Sequence, residues 1–188
     1  MVQRDASLDR LEHDIDIFCL RLLALRQPLA ADLRLIVAIL KVSHDLERAG
    51  DYAADVAKRS IILSAAPQVD SLDALRDMAD LVRRNLVHAV NALLMADATS
   101  AWEGCQADVA VDRLYSRAFH ETLARMGKDR SSPVTTAHML FVARNLERIG
   151  DHAANVAEMA YYAARGENIP TLRPEVDDAT EAHDNSSG

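Results

Sequence analysis

The chain repeats an acidic stretch one hundred residues apart. LERAGDYAADVA at 46–57 returns as LERIGDHAANVA at 146–157, with nine of the twelve positions identical. Each copy keeps a glutamate and an aspartate four residues apart, Glu47 with Asp51 and Glu147 with Asp151. Residues four apart lie on one face of a helix. Each pair of carboxylates can therefore bind a cation, take up a proton or pair with arginine.

In each half of the chain, a further pair of aspartates lies at the start of a predicted helix. A metal site built from several helices would combine Asp5 and Asp9 with Glu47 and Asp51, and Asp108 and Asp112 with Glu147 and Asp151. Oxygen-only ligation suits hard or borderline cations such as Mg²⁺, Mn²⁺ or iron. A buried network of arginines and carboxylates, with Arg48 and Arg148 as the cations, is the alternative interpretation of the same residues.

Helical spacing places the acidic pairs at the edge of an apolar face. At about 100° per residue, Glu47 and Asp51 lie in line with Leu40 rather than on the polar arc of their helix. That arc, which we expect to face solvent, comprises Arg34, Lys41, Asp45, Arg48 and Arg59. A glycine inside a helix costs about 1 kcal/mol relative to alanine. Gly50 and Gly150 therefore predict that another element approaches this surface closely.

Periodicity and helix breakers predict an all-α fold of five helices. They cover about residues 5–26, 28–64, 71–98, 107–126 and 133–164, with Ser71 as the N-cap of the third and a short break in DATSAWEG at 97–104. Aromatic residues make up only 4% of the chain, which also holds just six glycines and five prolines, so strands are disfavoured. Residues 166–188 are polar and aperiodic, and we predict a disordered tail there.

Charge and hydropathy exclude some partners. A net charge of −8 argues against nucleic acid as a ligand. The longest apolar run, LRLIVAILKV at 33–42, is too short to span a bilayer, so membrane contact would be made only through partners. The charged N-terminus and two isolated cysteines, Cys19 and Cys105, favour a reducing, cytoplasmic location.

The segment LRQPLAADLRLIVAILKVSHDLERAGDYAADVAKR at 25–59 closely resembles the PhoU family of phosphate-signalling proteins, as do DVAVDRLYSRAF at 108–119 and FVARNLERIGDHAANVAEMA at 141–160. The resemblance implies two tandem antiparallel helical bundles that arose by duplication. It also implies that the acidic motifs named above hold metal ions, with Mg, Mn, Fe or Zn as candidates. A further implication is a non-enzymatic cytoplasmic adaptor that represses phosphate uptake and the phosphate-starvation response. Its expected partners are the ATPase of the phosphate ABC transporter and the phosphate sensor histidine kinase.

The chain departs from the family pattern at its start, because the family normally has a further long helix before the segment that begins here at Val2. We therefore predict an incomplete first repeat of two helices at 2–66 and a three-helix second bundle at 70–165. The first repeat would expose an apolar stripe on Leu8, Leu11, Ile15, Leu22 and Leu35. This stripe predicts a homodimer or higher oligomer, a swapped element, or residues missing upstream.

Two other functions stay open. A di-metal carboxylate oxidase in a helical bundle is expected to carry Glu-x-x-His pairs, and the sequence contains none. A histidine phosphotransfer module is the other alternative, because SHDLER at 43–48 places His44 on a helix in the manner of a phosphoacceptor. The second repeat carries Arg144 at that position.

Overall fold

The structure, a computed structural model, describes residues 2–65, 72–126 and 132–169. Within these ranges the chain forms helices without strands, which confirms the predicted all-α class. The helices are α1 (Val2–Arg26), α2 (Ala30–Ala65), α3 (Asp73–Leu94), α4 (Ala98–Gln106), α5 (Asp108–Met126) and α6 (Pro133–Arg165). Ser71 and the tail from residue 170 onward lie outside the described residues.

The prediction of a break in DATSAWEG is wrong, because most of this segment belongs to α4. Asp97 caps the helix with its side chain, which accepts hydrogen bonds from the backbone N–H of Thr99 at 2.9 Å and of Ser100 at 3.2 Å. Gly104 then lets α4 pack tightly on α6, since a Cβ at this position would lie 3.0 Å from the Cβ of Ala157. Capping and close packing thus form a helix where polar and small residues predicted a turn.

The two long helices, α2 and α6, pack antiparallel along the centre of the molecule and form its most extensive helix pair. Asp45 meets His152 near the middle of the interface, and Arg59 meets His138 toward the C-terminal end of α2. Between them Tyr52 stacks on its repeat equivalent, His152, with ring centroids 5.8 Å apart. Residues one hundred apart therefore approach each other near an internal pseudo-two-fold axis that relates the two repeats.

The polar arc of α2 faces α6, and the prediction that it faces solvent is wrong. Of its five residues, Lys41 alone is exposed. The guanidinium of Arg59 lies 4.2 Å from the centroid of the Phe141 ring, and Asp45 hydrogen bonds to two side chains of α6. The reason is that α6 presents matching polar and aromatic groups, so the arc is used for a polar helix–helix contact.

The shorter helices cover the long pair unequally. α5 packs on α6 with α3 and α4 beside it, whereas α1 contacts α2 alone among the described helices. One core cluster joins α2, α3, α5 and α6 around Met78, Val111 and Leu146, and a second joins α2, α3, α4 and α6 around Ala38, Ala89 and Val156. The second half of the chain therefore has a fuller apolar core than the first.

Both repeated glycines receive an apolar side chain from a short acidic helix, as the sequence predicts. A Cβ on Gly50 would overlap the end of the Leu8 side chain from α1. A Cβ on Gly150 would lie 2.9 Å from Cγ1 of Val111 on α5. Leu8 and Val111 are repeat equivalents, because each precedes the second aspartate of its helix, Asp9 or Asp112. The glycines thus allow each acidic helix to lie close to a long helix.

We expect Gly150→Ala to lower the free energy of unfolding, because the new methyl group meets the stiff, β-branched Val111. Overpacking costs about 1–3 kcal/mol, against which alanine gains up to about 1 kcal/mol in helix propensity. In a Val111→Ala background the same substitution should become neutral or stabilising. The check is a double-mutant cycle by urea unfolding, for which we expect a coupling of about 0.5–3 kcal/mol.

Gly50→Ala is the matched control, because it meets only the flexible end of Leu8 and should be tolerated better. Strictly additive effects of Gly150→Ala and Val111→Ala would contradict the proposed contact.

Candidate metal centre

The first acidic cluster joins α1 and α2. Glu47 is half-buried, with its side chain 19% exposed. Its pKa is raised, first by burial and then by the charge of Asp51, while Arg48 and His44 act in the opposite direction and Asp9 of α1 raises it further. This mutual influence places Asp9, Glu47 and Asp51 in one electrostatic environment. The three carboxylates repel one another across the interface of two helices.

The second acidic cluster repeats this arrangement between α5 and α6. Burial and the charge of Asp151 raise the pKa of Glu147, Arg144 lowers it, and Asp112 of α5 raises it. Arg144 donates a hydrogen bond to Oε1 of Glu147 at 2.6 Å. The other oxygen, Oε2, is buried and has no hydrogen-bond partner in the described part of the chain. An acceptor oxygen of this kind is one that a cation can satisfy.

The structure says less about the other two predicted ligands, Asp5 and Asp108. The side chain of Asp5 lies outside the described residues, although its backbone belongs to α1. Asp108 is half-buried at the first turn of α5, and its charge helps raise the pKa of the Cys105 thiol to about 12, after burial and Glu158. The structure therefore links Asp108 to Cys105, one helical turn from Asp112.

Each cluster has a basic residue at the repeat-equivalent position 44 or 144. His44 Nδ1 lies 3.9 Å from Glu47 Oε2 and 3.7 Å from Glu12 Oε1. Arg144 takes the same place beside Glu147. Because the two residues occupy equivalent positions next to the glutamate, His44 is best described as a partner of the first acidic cluster.

Arg48 and Arg148 converge on Tyr52 at the α2–α6 interface, a contact that the sequence did not predict. Arg148 donates to the phenol oxygen at 2.9 Å and Arg48 at 3.4 Å. These contacts, that of Arg148 foremost, lower the pKa of Tyr52. Arg48 also pairs with Asp51 at 3.3 Å. The arginine–carboxylate network considered above is therefore only partly formed, because Arg148 is directed to a phenol.

A further bridge between the long helices uses Asp45, His152 and Asn155. Oδ1 of Asp45 lies 2.7 Å from Nδ1 of His152 and accepts a hydrogen bond from Asn155 at 3.2 Å. This polar bridge fixes the register of α2 against α6 within one turn of both acidic pairs. The periodicity of α2 alone does not reveal this bridge, because it places Asp45 on the arc expected to face solvent. The signal in the sequence is that α6 carries polar residues, His152 and Asn155, in the repeated stretch.

The acidic clusters have the oxygen donors that a cation needs, but their side chains are not arranged as a coordination shell. No group of three or more His, Cys, Asp or Glu side chains converges into a ready coordination shell in the parts of the chain that the structure describes. Asp9, Asp112 and Asp151 are exposed, however, so burial does not hold their side chains away from the half-buried glutamates. Carboxylate oxygens, mutual repulsion and the buried Oε2 of Glu147 together suit a hard divalent cation.

The repeated architecture defines an all-helical protein with two acidic helix pairs, and comparisons with known proteins agree. The PhoU domain family matches residues 1–60 and 75–160. A relative from Caulobacter vibrioides is 40% identical over 178 residues, 94% of this chain and 77% of the relative. One from Zymomonas mobilis is 38% identical over 170 residues, 90% of this chain and 72% of the relative. Both are named phosphate-specific transport system accessory protein PhoU homologs.

Solved structures show the same fold. The crystal structure of PhoU from Pseudomonas aeruginosa is 38% identical and superposes with a TM-score of 0.83, covering 88% of this chain and 79% of that one. PhoU from Streptococcus pneumoniae is 29% identical with a TM-score of 0.79, covering 90% and 80% respectively. The chain therefore belongs to the PhoU family, and the tandem arrangement predicted from its sequence is confirmed.

Removing the charge of Glu147 should stabilise the metal-free protein at neutral pH. The pKa of Glu147 is raised in the folded state, so the folded protein favours the protonated carboxyl. The stability that this preference provides is fully present below the unfolded pKa of about 4.3, and it is lost as the pH rises through the folded pKa. Glu147→Gln avoids this loss while its amide oxygen can still accept from Arg144. We expect the Tm in EDTA to rise at pH 7 by about 2–4 °C for each 1 kcal/mol relieved, and not to rise at pH 4.

The matched control is Glu158→Gln, an exposed glutamate on the same helix that should change the Tm little at either pH. A Tm lowered equally at pH 4 and pH 7 by Glu147→Gln would mean that the carboxylate is needed for packing, and would contradict the electrostatic account.

Proposed function

We propose that this chain is a metal-binding regulatory adaptor of phosphate homeostasis that acts in the cytoplasm. In this proposal it restrains phosphate uptake and the phosphate-starvation response through the phosphate ABC transporter and its sensor kinase. The observation that carries the proposal is the duplicated acidic cluster, which recurs with the same glycine, the same helix pairing and the same charge repulsion in both halves. The family membership and the names of the relatives provide the transport context.

Metal ions would be held where the two helices of each repeat meet. Asp9, Glu47 and Asp51 are the proposed ligands of the first site, and Asp112, Glu147 and Asp151 those of the second. Asp5 and Asp108 lie one turn away on the same helices and are proposed as outer ligands. The ion, one of Mg, Mn, Fe or Zn, supplies positive charge that neutralises the clustered carboxylates. Binding would therefore tie α1 to α2 and α5 to α6.

The proposed partners are proteins. The ATPase of the phosphate transporter and the phosphate sensor histidine kinase are inferred from the family. The chain has a net charge of −8, and no helix in the described ranges is long and apolar enough to cross a membrane. Membrane association through these partners fits both observations. We also propose self-association as a homodimer or higher oligomer, for which the apolar surface of α1 is the support.

Non-catalytic regulation is favoured over the two alternatives. A phosphotransfer role for His44 is less favoured, because its equivalent Arg144 partners Glu147 and His44 itself lies beside Glu12 and Glu47. A di-metal oxidase is expected to have histidine ligands beside the glutamates. His152, the nearest histidine to the second cluster in sequence, is instead engaged with Asp45 across the interface.

We expect the chain to repress a phosphate-starvation reporter in phosphate-rich medium when it replaces a deleted family member. A variant carrying Glu47→Gln, Asp51→Asn, Glu147→Gln and Asp151→Asn should lose most of this repression while remaining folded, because its clusters no longer attract a cation. The measurement is reporter activity in high phosphate, with protein level and helicity of each variant recorded alongside.

Asp55→Asn is the matched control, because it removes a carboxylate of α2 and reproduces the residue that the second repeat carries as Asn155. It should repress as well as the wild type. Full repression by the four-residue variant would contradict the metal mechanism. Absence of repression by the wild-type chain would contradict the regulatory role.

A further inference from the structure

Two arginines from different repeats meet at one side chain on the α2–α6 interface. Arg148 donates a hydrogen bond to the phenol oxygen of Tyr52 at 2.9 Å, and Arg48 donates to the same oxygen at 3.4 Å. The two arginines are repeat equivalents, because each follows the glutamate of the repeated stretch. Two guanidinium groups within a hydrogen bond of one atom repel each other. Since a neutral phenol does not balance two positive charges, the pair favours an anion beside it.

The ring of Tyr52 holds both guanidinium groups in place. The central carbon of the Arg48 guanidinium lies 5.5 Å from the ring centroid, and that of Arg148 lies 5.4 Å from it. His152 stacks on the same ring with centroids 5.8 Å apart, and Asp45 holds His152 through a contact of 2.7 Å. The two cationic groups are therefore positioned before a ligand arrives, which lowers the entropic cost of binding.

The cationic pair is accessible from solvent, although carboxylates lie nearby. Arg148 is exposed, and the side chain of Arg48 is 43% exposed. Asp51 pairs with Arg48 at 3.3 Å, and Glu147 and Asp151 are close enough to act on Arg148 electrostatically. An ion pair as exposed as that of Arg48 with Asp51 adds little stability in water. An anion that accepts several hydrogen bonds at once can therefore replace this contact, whereas a halide gains less from doing so.

We propose that Arg48, Arg148 and Tyr52 form a binding site for one oxyanion of the phosphate type, near the axis that relates the two repeats. A phosphate group has several charged acceptor oxygens, and the planar fork of an arginine donates two parallel hydrogen bonds to such a group. One phosphate group can accordingly accept hydrogen bonds from both arginines, with the phenol O–H as a further donor. The free ion and a phosphate ester present the same chemistry to this site.

The charge around the site restricts the ligand to a small anion. The net charge of −8 repels a polyanion such as nucleic acid, which would need a stripe of basic residues rather than one pair. A single phosphate group needs only the one point at which the two guanidinium groups converge. This inference goes beyond the regulatory adaptor proposed above. It also uses none of the carboxylates that are proposed to hold a metal ion.

The test is isothermal titration calorimetry of the full chain in EDTA, with orthophosphate as the titrant at constant ionic strength. The wild type should bind one phosphate per chain. Arg48→Gln and Arg148→Gln should each weaken binding about tenfold or more, because hydrogen bonds to a charged group are lost. Lys58→Gln is the matched control, since it removes an exposed cation of α2 that pairs with Asp55, and it should bind as the wild type does. Absence of saturable binding by the wild type, or equal weakening in the control, would overturn the proposal.

Arg148→Lys decides the outcome even where a glutamine variant fails to fold. It keeps the positive charge but loses the planar fork, so its affinity for phosphate should lie between those of the wild type and Arg148→Gln. Wild-type affinity in this variant would mean that charge alone attracts the anion, and would overturn the site.

The same titration with phenyl phosphate identifies the source of the phosphate group. Tighter binding of orthophosphate supports the site with the free ion as its ligand, and tighter binding of phenyl phosphate supports it with a phosphate ester. Binding of neither would overturn it. Because EDTA keeps metal ions out of the titration, failure of phosphate binding and failure of the metal proposal are distinguishable.

Discussion

The close contact between a glycine of each long helix and one apolar side chain of each short acidic helix determines the rest of the arrangement. Leu8 lies against Gly50, and Val111 lies against Gly150. Each contact lets two helix backbones approach within the distance that a Cβ would prevent. Since the apolar residue is next to an aspartate in both cases, the same contact brings that aspartate toward the glutamate of the long helix. Packing and charge repulsion are thus produced by one local geometry.

The pairing of α2 with α6 joins the two acidic clusters into one body. Asp45, His152 and Asn155 fix the register of the pair, while Tyr52 accepts hydrogen bonds from an arginine of each repeat. These contacts lie close to the pseudo-two-fold axis and within a turn of the carboxylates. A cation that draws α1 toward α2 acts on the same helix that packs on α6.

Much of the candidate site could be predicted from the repeated sequence, because helical periodicity and internal duplication are local patterns. The pairs Glu47–Asp51 and Glu147–Asp151, and the close approach at both glycines, follow from spacing alone. The contact between Arg148 and Tyr52 could not be predicted, because it depends on which face of α6 meets α2. The assignment of Asp45 to solvent failed for the same reason: a polar arc looks identical whether it faces water or a second polar helix.

The segment at 97–104 shows a different limit of sequence analysis. Its small and polar residues predict a turn, yet Asp97 caps a helix that Gly104 allows to pack on Ala157. Helix propensity is a weak preference that tertiary contacts can override. What distinguishes the two outcomes is the surface of α6 around Ala157, which is more than fifty residues from Gly104 in the chain. A contact between residues so far apart in the chain cannot be recognised from a sequence window of a few residues.

The central claim is that the repeated clusters are cation sites. The most direct test is an equilibrium titration of the chelator-stripped protein with Mn²⁺. The same titration is run on the variant that carries Glu47→Gln, Asp51→Asn, Glu147→Gln and Asp151→Asn. We predict saturable binding of at least one ion per cluster by the wild type, and loss of this binding in the folded variant. Identical behaviour of the two proteins, whether both bind or neither does, would contradict the account and leave the clusters as internal charge networks.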